Sequence, residues 1–190
     1  DYEDIQMNVQ SDPNNIVVSD VLNAGKASID GFELDAEALI GEHAELTLRY
    51  GWLDATYDVI RDAKGQNVAN DYRFMGAPEH SLLVSWSGVL GASPETALEY
   101  TLSYSWRDEF FGSNTTDAGV YKVPSYGLVS ADLRRRLAFN WGGVEVGLWG
   151  TNLLDAPYYR WHYNAGAGGA IPSGVWGEPR TIGLKLKVDL

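Results

Sequence analysis

From Thr96 to Trp106 the chain reads TALEYTLSYSW, with apolar and polar residues alternating. Leu98, Tyr100, Leu102, Tyr104 and Trp106 share one face, and Glu99, Thr101, Ser103 and Ser105 share the other. A period of two excludes a helix and specifies a strand with two unlike faces. The pattern recurs in AELTLRYGW, where Leu46, Leu48, Tyr50 and Trp52 oppose Glu45, Thr47 and Arg49, and in VEVGLWG, where Val144, Val146 and Leu148 oppose Glu145 and Gly147. It closes the chain in RTIGLKLKVDL, where Ile182, Leu184, Leu186, Val188 and Leu190 oppose Lys185, Lys187 and Asp189. With further runs near Tyr2 to Val9, Ile29 to Leu39, His80 to Ser87 and Tyr126 to Phe139, eight strands are expected.

Such strands suit two opposite architectures. A soluble sandwich or barrel turns the apolar face to a core, whereas a membrane barrel turns it to lipid and its charges to water. Strand length separates them. Ten residues at about 3.3 Å each, tilted by about 45°, climb roughly 23 Å, close to the ~25 Å apolar band of an outer-membrane barrel. A soluble strand needs only about 5 or 6 residues.

The connections alternate in length, which points the same way. IGEH, GVLGASPE and NWGG are short and rich in turn formers. Between them lie long stretches, roughly Gln10 to Ser28, Asp54 to Glu79, Arg107 to Ser125 and Tyr159 to Gly177, rich in Asn, Asp, Gly and Ser. Short turns on one side and long loops on the other is the arrangement of an outer-membrane barrel, with periplasmic turns and extracellular loops. The final strand then descends from a long loop, placing the C-terminus on the short-turn side.

Composition removes several alternatives. No stretch of 18 apolar residues exists, so any bilayer must be crossed by strands. Seven Trp and eleven Tyr suit the two membrane interfaces or an aromatic core. A net charge of −12 argues against nucleic acid, whose phosphates need a basic face, and the lack of cysteine removes disulfides and thiolate metal sites. The opening DYEDIQMNVQ lacks the basic and apolar regions of a signal peptide, so the chain reads as mature, processed or cut from something longer.

Four stretches, in order, resemble motifs of the TonB-dependent outer-membrane receptors. They are YEDIQ from Tyr2, NAGKASIDGFELDAEALI from Asn23, GTNLLDAPYYR from Gly150 and GEPRTIGLKLKVDL from Gly177. The resemblance implies an all-β fold, an antiparallel transmembrane β-barrel segment of about eight strands, placed in the bacterial outer membrane. Full receptors of this family have an N-terminal plug and about 22 strands, so residues 1–190 correspond to the C-terminal portion of the barrel, with the plug and earlier strands outside it. The implied partners are the TonB complex through that plug, the remainder of the barrel, outer-membrane lipid and lipopolysaccharide, and an extracellular nutrient such as an iron-siderophore complex, cobalamin or a glycan. A stand-alone eight-stranded barrel with a structural or adhesive role and a soluble ligand-binding barrel are the alternatives.

The inferred inward charges weigh on that choice. Glu33, Asp35, Glu37, Glu45, Arg49, Glu99, Asp132, Arg134, Arg136, Glu145, Lys185 and Lys187 all fall on the polar faces. An eight-stranded lumen only just accommodates side chains, and an unpaired buried charge costs several kcal/mol, which favours a wider, wet or plugged barrel. In RRR, Arg135 is expected to face outward toward headgroups, with Arg134 and Arg136 pairing with acids in the lumen.

No enzymatic constellation emerges. His43, His80 and His162 fall in a turn, at a strand start and in a long loop, and GAGG from Gly166 lacks the strand-to-helix setting of a phosphate loop. No cofactor or resident metal is expected. Acidic loop residues, among them Asp54, Asp62, Asp108 and Glu109, read as solvated surface rather than a cation site, and their spacing is unlike a calcium loop. The candidate ligand contacts are Arg160, Trp161, His162 and Tyr163, where a cation, a histidine and aromatics open an outer loop and can stack on and hydrogen-bond a ligand. Tyr158 and Tyr159 are expected in the aromatic girdle.

Overall fold

A computed structural model describes residues 1–10, 19–62, 64–91, 93, 97–114, 122–164 and 172–189. The strands are β1 (Tyr2–Gln10), β2 (Ser19–Ile40), β3 (Ala44–Ile60), β4 (His80–Leu90), β5 (Leu98–Arg107), β6 (Phe110–Phe111), β7 (Lys122–Val123), β8 (Tyr126–Phe139), β9 (Gly142–Thr151), β10 (Tyr159–Asn164), β11 (Pro172–Trp176) and β12 (Thr181–Asp189). Eight of them form one antiparallel meander in the order β1-β2-β3-β4-β5-β8-β9-β12. Its edges β1 and β12 do not pair with each other, so the sheet is an open wall rather than a closed barrel. The pairs β6/β7 and β10/β11 form two separate two-stranded sheets.

Register carries the alternation of single strands across the whole wall, because directly paired residues of antiparallel strands point to the same side. Leu46 pairs with Trp86, Trp86 with Leu102, Leu102 with Ala131, Ala131 with Gly150 and Gly150 with Ile182, giving a continuous apolar row. On the opposite face, Asp35 lies across from Arg49 and Glu99 from Arg134. Leu184 is 81% and Leu186 70% exposed, whereas the buried apolar residues, Ala27, Ile60, Ala69, Phe110 and Val123, lie at the outer end of the sheet and in its loops. Among the described residues the wall therefore has no protein core of its own. Its apolar face needs lipid.

The polar face is laced with ion pairs: Arg49–Asp35 at 3.1 Å, Arg134–Asp132 at 2.6 Å, Lys185–Glu145 at 3.4 Å and Arg136–Asp189 at 3.3 Å. The last links β8 to β12 across the intervening β9. Gly143 permits it, because a Cβ there would lie only 3.3 Å from the Arg136 guanidinium. Arg135 pairs with Leu98 and Val146 on the outward side, as expected.

One expectation needs correction. The stretch from Gln10 to Ser28 is not all loop: β2 starts at Ser19 and pairs with β1 through Ala27, while β3 continues to Ile60. Beyond the bilayer both faces of a hairpin meet water, so a strand there tolerates the Asn, Asp and Ser that read as loop. Trp149 pairs with Asp132 and Gly183 and so lies on the polar face rather than in the lipid girdle. In VEVGLWG the tryptophan follows Gly147 by two residues, and parity puts it on the same face as the glycine.

Candidate ligand-binding surface

The outer loops are built by local polar chemistry and then docked on one another. In the β3–β4 loop, Asn67 Oδ1 accepts from the N–H groups of Ile60 at 3.0 Å and Ala69 at 3.1 Å, and its amide donates to the Asp58 carbonyl at 3.2 Å. Ile60 and Ala69 pack there with Ile5, Tyr57, Val68 and Tyr72. Phe74 stacks on Tyr57 at 4.2 Å. The Tyr72 phenol is held above its ordinary pKa, chiefly by burial and then by the charges of Asp71 and Asp62.

This loop leans on the next. The Arg73 N–H donates to the Asn114 carbonyl at 2.8 Å and the Gly76 N–H to the Phe111 carbonyl at 2.9 Å. Lys122 on β7 pairs with Glu109 and its ammonium sits 5.4 Å from the centre of the Phe111 ring. Trp161 of β10 completes the cluster, 5.8 Å from Phe110 and so close to Gly76 that a Cβ would meet its ring at 3.2 Å.

The base of the last outer loop is clamped by the two motifs flanking it. Asn152 is 3% exposed, with its backbone at φ +47°. Its amide donates to the carbonyls of Ala156 at 3.0 Å and Glu178 at 3.1 Å, and its Oδ1 accepts from the Ala156 N–H at 2.9 Å. Asp155 accepts from the Arg180 N–H at 3.1 Å and lies 3.8 Å from its guanidinium. TNLLD and GEPR are thus the two halves of one joint.

The four sequence-predicted contacts share β10, but the strand divides them. Trp161 is half-buried against Phe110, and His162, next along the strand, stacks on Tyr159 at 5.2 Å and 9°. Arg160 is exposed. Tyr163 pairs through its backbone with Ser173, and its side chain lies outside the described residues. Tyr158 packs on Tyr126 at 4.5 Å and Tyr159 on Trp176 at 4.0 Å, so both serve loop packing.

A second feature escapes single-strand reading. On the polar face, toward the long-loop end, a recess of about 430 Å³ is bordered by Glu33, Asp35, Arg49, Ser81, Arg107 and Tyr126. The Arg107 guanidinium lies 5.6 Å from the centre of the Tyr126 ring and 5.8 Å from that of Phe110. These residues come from five strands, β2, β3, β4, β5 and β8, and only register joins them. Mixed charge with an arginine over aromatic rings can take a polar, anionic or chelated ligand by ion pairing and stacking.

Residues 1–153 match the family described as TonB dependent receptor-like, beta-barrel. The chain is 28% identical over 177 residues to the metal-pseudopaline receptor CntO of Pseudomonas aeruginosa strain PAO1, and equally to that of strain UCBPP-PA14, in each case over 87% of this chain and 21% of the relative. It therefore spans about a fifth of the length of these relatives. The crystal structure of the ferric yersiniabactin uptake receptor FyuA from Yersinia pestis superposes on 90% of the chain with a TM-score of 0.71 at 17% identity, using 25% of that receptor, a likeness of fold. With its lipid-facing apolar rows, its polar inner face and this family match, the chain belongs to the TonB-dependent receptors, as wall and outer loops of a β-barrel in the bacterial outer membrane.

Proposed function

We propose that this chain forms the closing strands of a receptor that takes up a metal–chelate complex of the siderophore type. The observation that carries the reading is the recess at Arg49, Arg107 and Tyr126, an inward-facing site of mixed charge below the docked outer loops. The name of the CntO relatives, metal-pseudopaline receptor, supports a metal-bearing ligand. In this reading the outer loops and the recess capture the complex, and TonB, acting through a plug outside this chain, drives its release inward. The unpaired edges β1 and β12 accord with further strands between them, and residues 1–190 are then the C-terminal part of the barrel. Arg160, Trp161, His162 and Tyr163 are proposed to shape the outer loop over the recess, with Arg160 and His162 reaching the ligand.

The test is binding of metal-loaded and metal-free chelators to the receptor in detergent, read by calorimetry. Arg107→Ala is expected to weaken the metal-loaded complex about tenfold or more, as loss of a charged contact does. Equal affinity of wild type for loaded and empty chelators, or unchanged affinity in both Arg107→Ala and His162→Ala, sinks the proposal.

A further inference from the structure

At the outer end of β4, Glu79, His80 and Asp108 each offer one ligand atom, and these atoms lie within 4.8 Å of one another. We propose that they bind a divalent transition-metal ion of the zinc class, separate from any chelated cargo, and that the ion ties the β3–β4 loop to the β5–β8 loop. None of the three ligand residues borders the recess. His80 pairs with Trp52, and the Asp108 N–H donates to the His80 carbonyl at 2.9 Å. Parity puts His80 and Asp108 on the apolar, outward side beside Trp52 and beyond Trp106, at the outer rim of the wall.

Three features suit a metal. The donor set, one imidazole and two carboxylates, is one that zinc accepts, with a fourth position open. The second feature is orientation. His80 Nδ1 is 2.8 Å from the Tyr50 hydroxyl, and Nε2 is 3.7 Å from Glu79 Oε1. With Nδ1–H donating to the Tyr50 oxygen, the Nε2 lone pair on the Glu79 side is left for a metal, just as an outer-shell acceptor on one ring nitrogen fixes the other for the ion in metal-bound histidine. Tyr50 also stacks on the ring at 6.0 Å and 24°, limiting its rotation.

The third feature is charge. Glu79 and Asp108 approach each other without a lysine or arginine partner among the described residues: nearby Lys122 is taken by Glu109, and Arg73 donates to the carbonyls of Asn70 and Tyr72. Asp108 keeps one oxygen on the Glu109 N–H at 2.8 Å and has the other for a cation. Tetrahedral zinc with bonds near 2.0–2.2 Å sets its ligand atoms about 3.3 Å apart. Glu79 is exposed, so its rotamer can change to bring its carboxylate toward that spacing.

The consequence is mechanical. Glu79 ends the loop that carries Arg73 and Gly76, and Asp108 begins the loop that receives them at Asn114 and Phe111. An ion joining the two fixes the loop pair at its root.

The experiment is zinc titration of the receptor, purified in detergent and stripped with a chelator, by calorimetry without any metallophore. Heat-modifiable gel migration controls for barrel folding. Wild type is expected to bind one equivalent of Zn²⁺ that is absent in His80→Gln, which retains an amide for Tyr50, and in Glu79→Gln/Asp108→Asn. Tyr50→Phe, which removes only the orienting hydroxyl, is expected to weaken that equivalent about tenfold. X-ray absorption of the loaded protein is expected to show nitrogen and oxygen ligands. No zinc binding by wild type, or the same stoichiometry and affinity in wild type and all folded variants, overturns the proposal.

Discussion

Trp149 lies over Gly183. The two residues face each other across β9 and β12, and a Cβ at position 183 would sit 2.6 Å from the indole Cε2. The last strand thus accommodates a large aromatic on the polar side of the wall by carrying no side chain at that point, and the ring covers the backbone that glycine leaves bare. This is the role of Gly183 in RTIGLKLKVDL: it is a seat for a neighbour.

Gly183→Val is expected to weaken the β9–β12 pairing by about 1–3 kcal/mol, the cost of overpacking a filled contact. Urea unfolding of the barrel refolded into lipid vesicles measures it. Combining it with Trp149→Ala is expected to recover part of the loss, since the clash is with the indole; additive losses contradict the account.

Leu102 sits near mid-height of the wall on the apolar face, between Trp86 and Ala131. Leu102→Arg is expected to cost about 2–4 kcal/mol in vesicle unfolding, the depth-dependent price of a cation against lipid. Ser103→Arg, on the opposite face, is expected to cost much less. Similar losses at both positions would falsify the assignment of faces.

Asn152→Ala removes a buried amide and leaves the Glu178 carbonyl and Ala156 N–H without their partner. The expected loss is about 1–3 kcal/mol per group left unsatisfied, felt as release of the last outer loop. Limited proteolysis between residues 152 and 180 is the readout, and faster cleavage there, with the wall still folded, is the expected result.

The raised pKa of Tyr72 implies that the docked loop prefers the neutral phenol. Its contribution is present below the ordinary tyrosine pKa of about 10 and is lost as pH rises through the higher value of the folded loop. Ultraviolet titration is expected to show a late-ionising phenol in wild type that is missing in Tyr72→Phe. Protease sensitivity of residues 61–79 is expected to rise with alkalinity in wild type more than in the variant.

Much of this architecture is written in local pattern. Side chains alternate along a strand and antiparallel pairing preserves parity, so Leu102 and Leu186 could be placed on one side, and Arg49 and Lys185 on the other, from sequence alone. The short turns and long connections set the meander, and the order of the motifs set the family. The rest depends on register and on packing between distant segments. Trp149 lies on the polar side because its register there overrides its aromatic character. The strand beginning at Ser19 has loop-like composition, and only its pairing with β1 makes it a strand. TNLLD and GEPR look like separate motifs until Asn152 reaches the Glu178 carbonyl. Glu79, His80 and Asp108 come together only because β4 and β5 pair at their outer ends. Sequence determined which face each residue takes, since that is a property of one strand; tertiary structure decided which residues meet, since that is a property of strands pairing and loops docking.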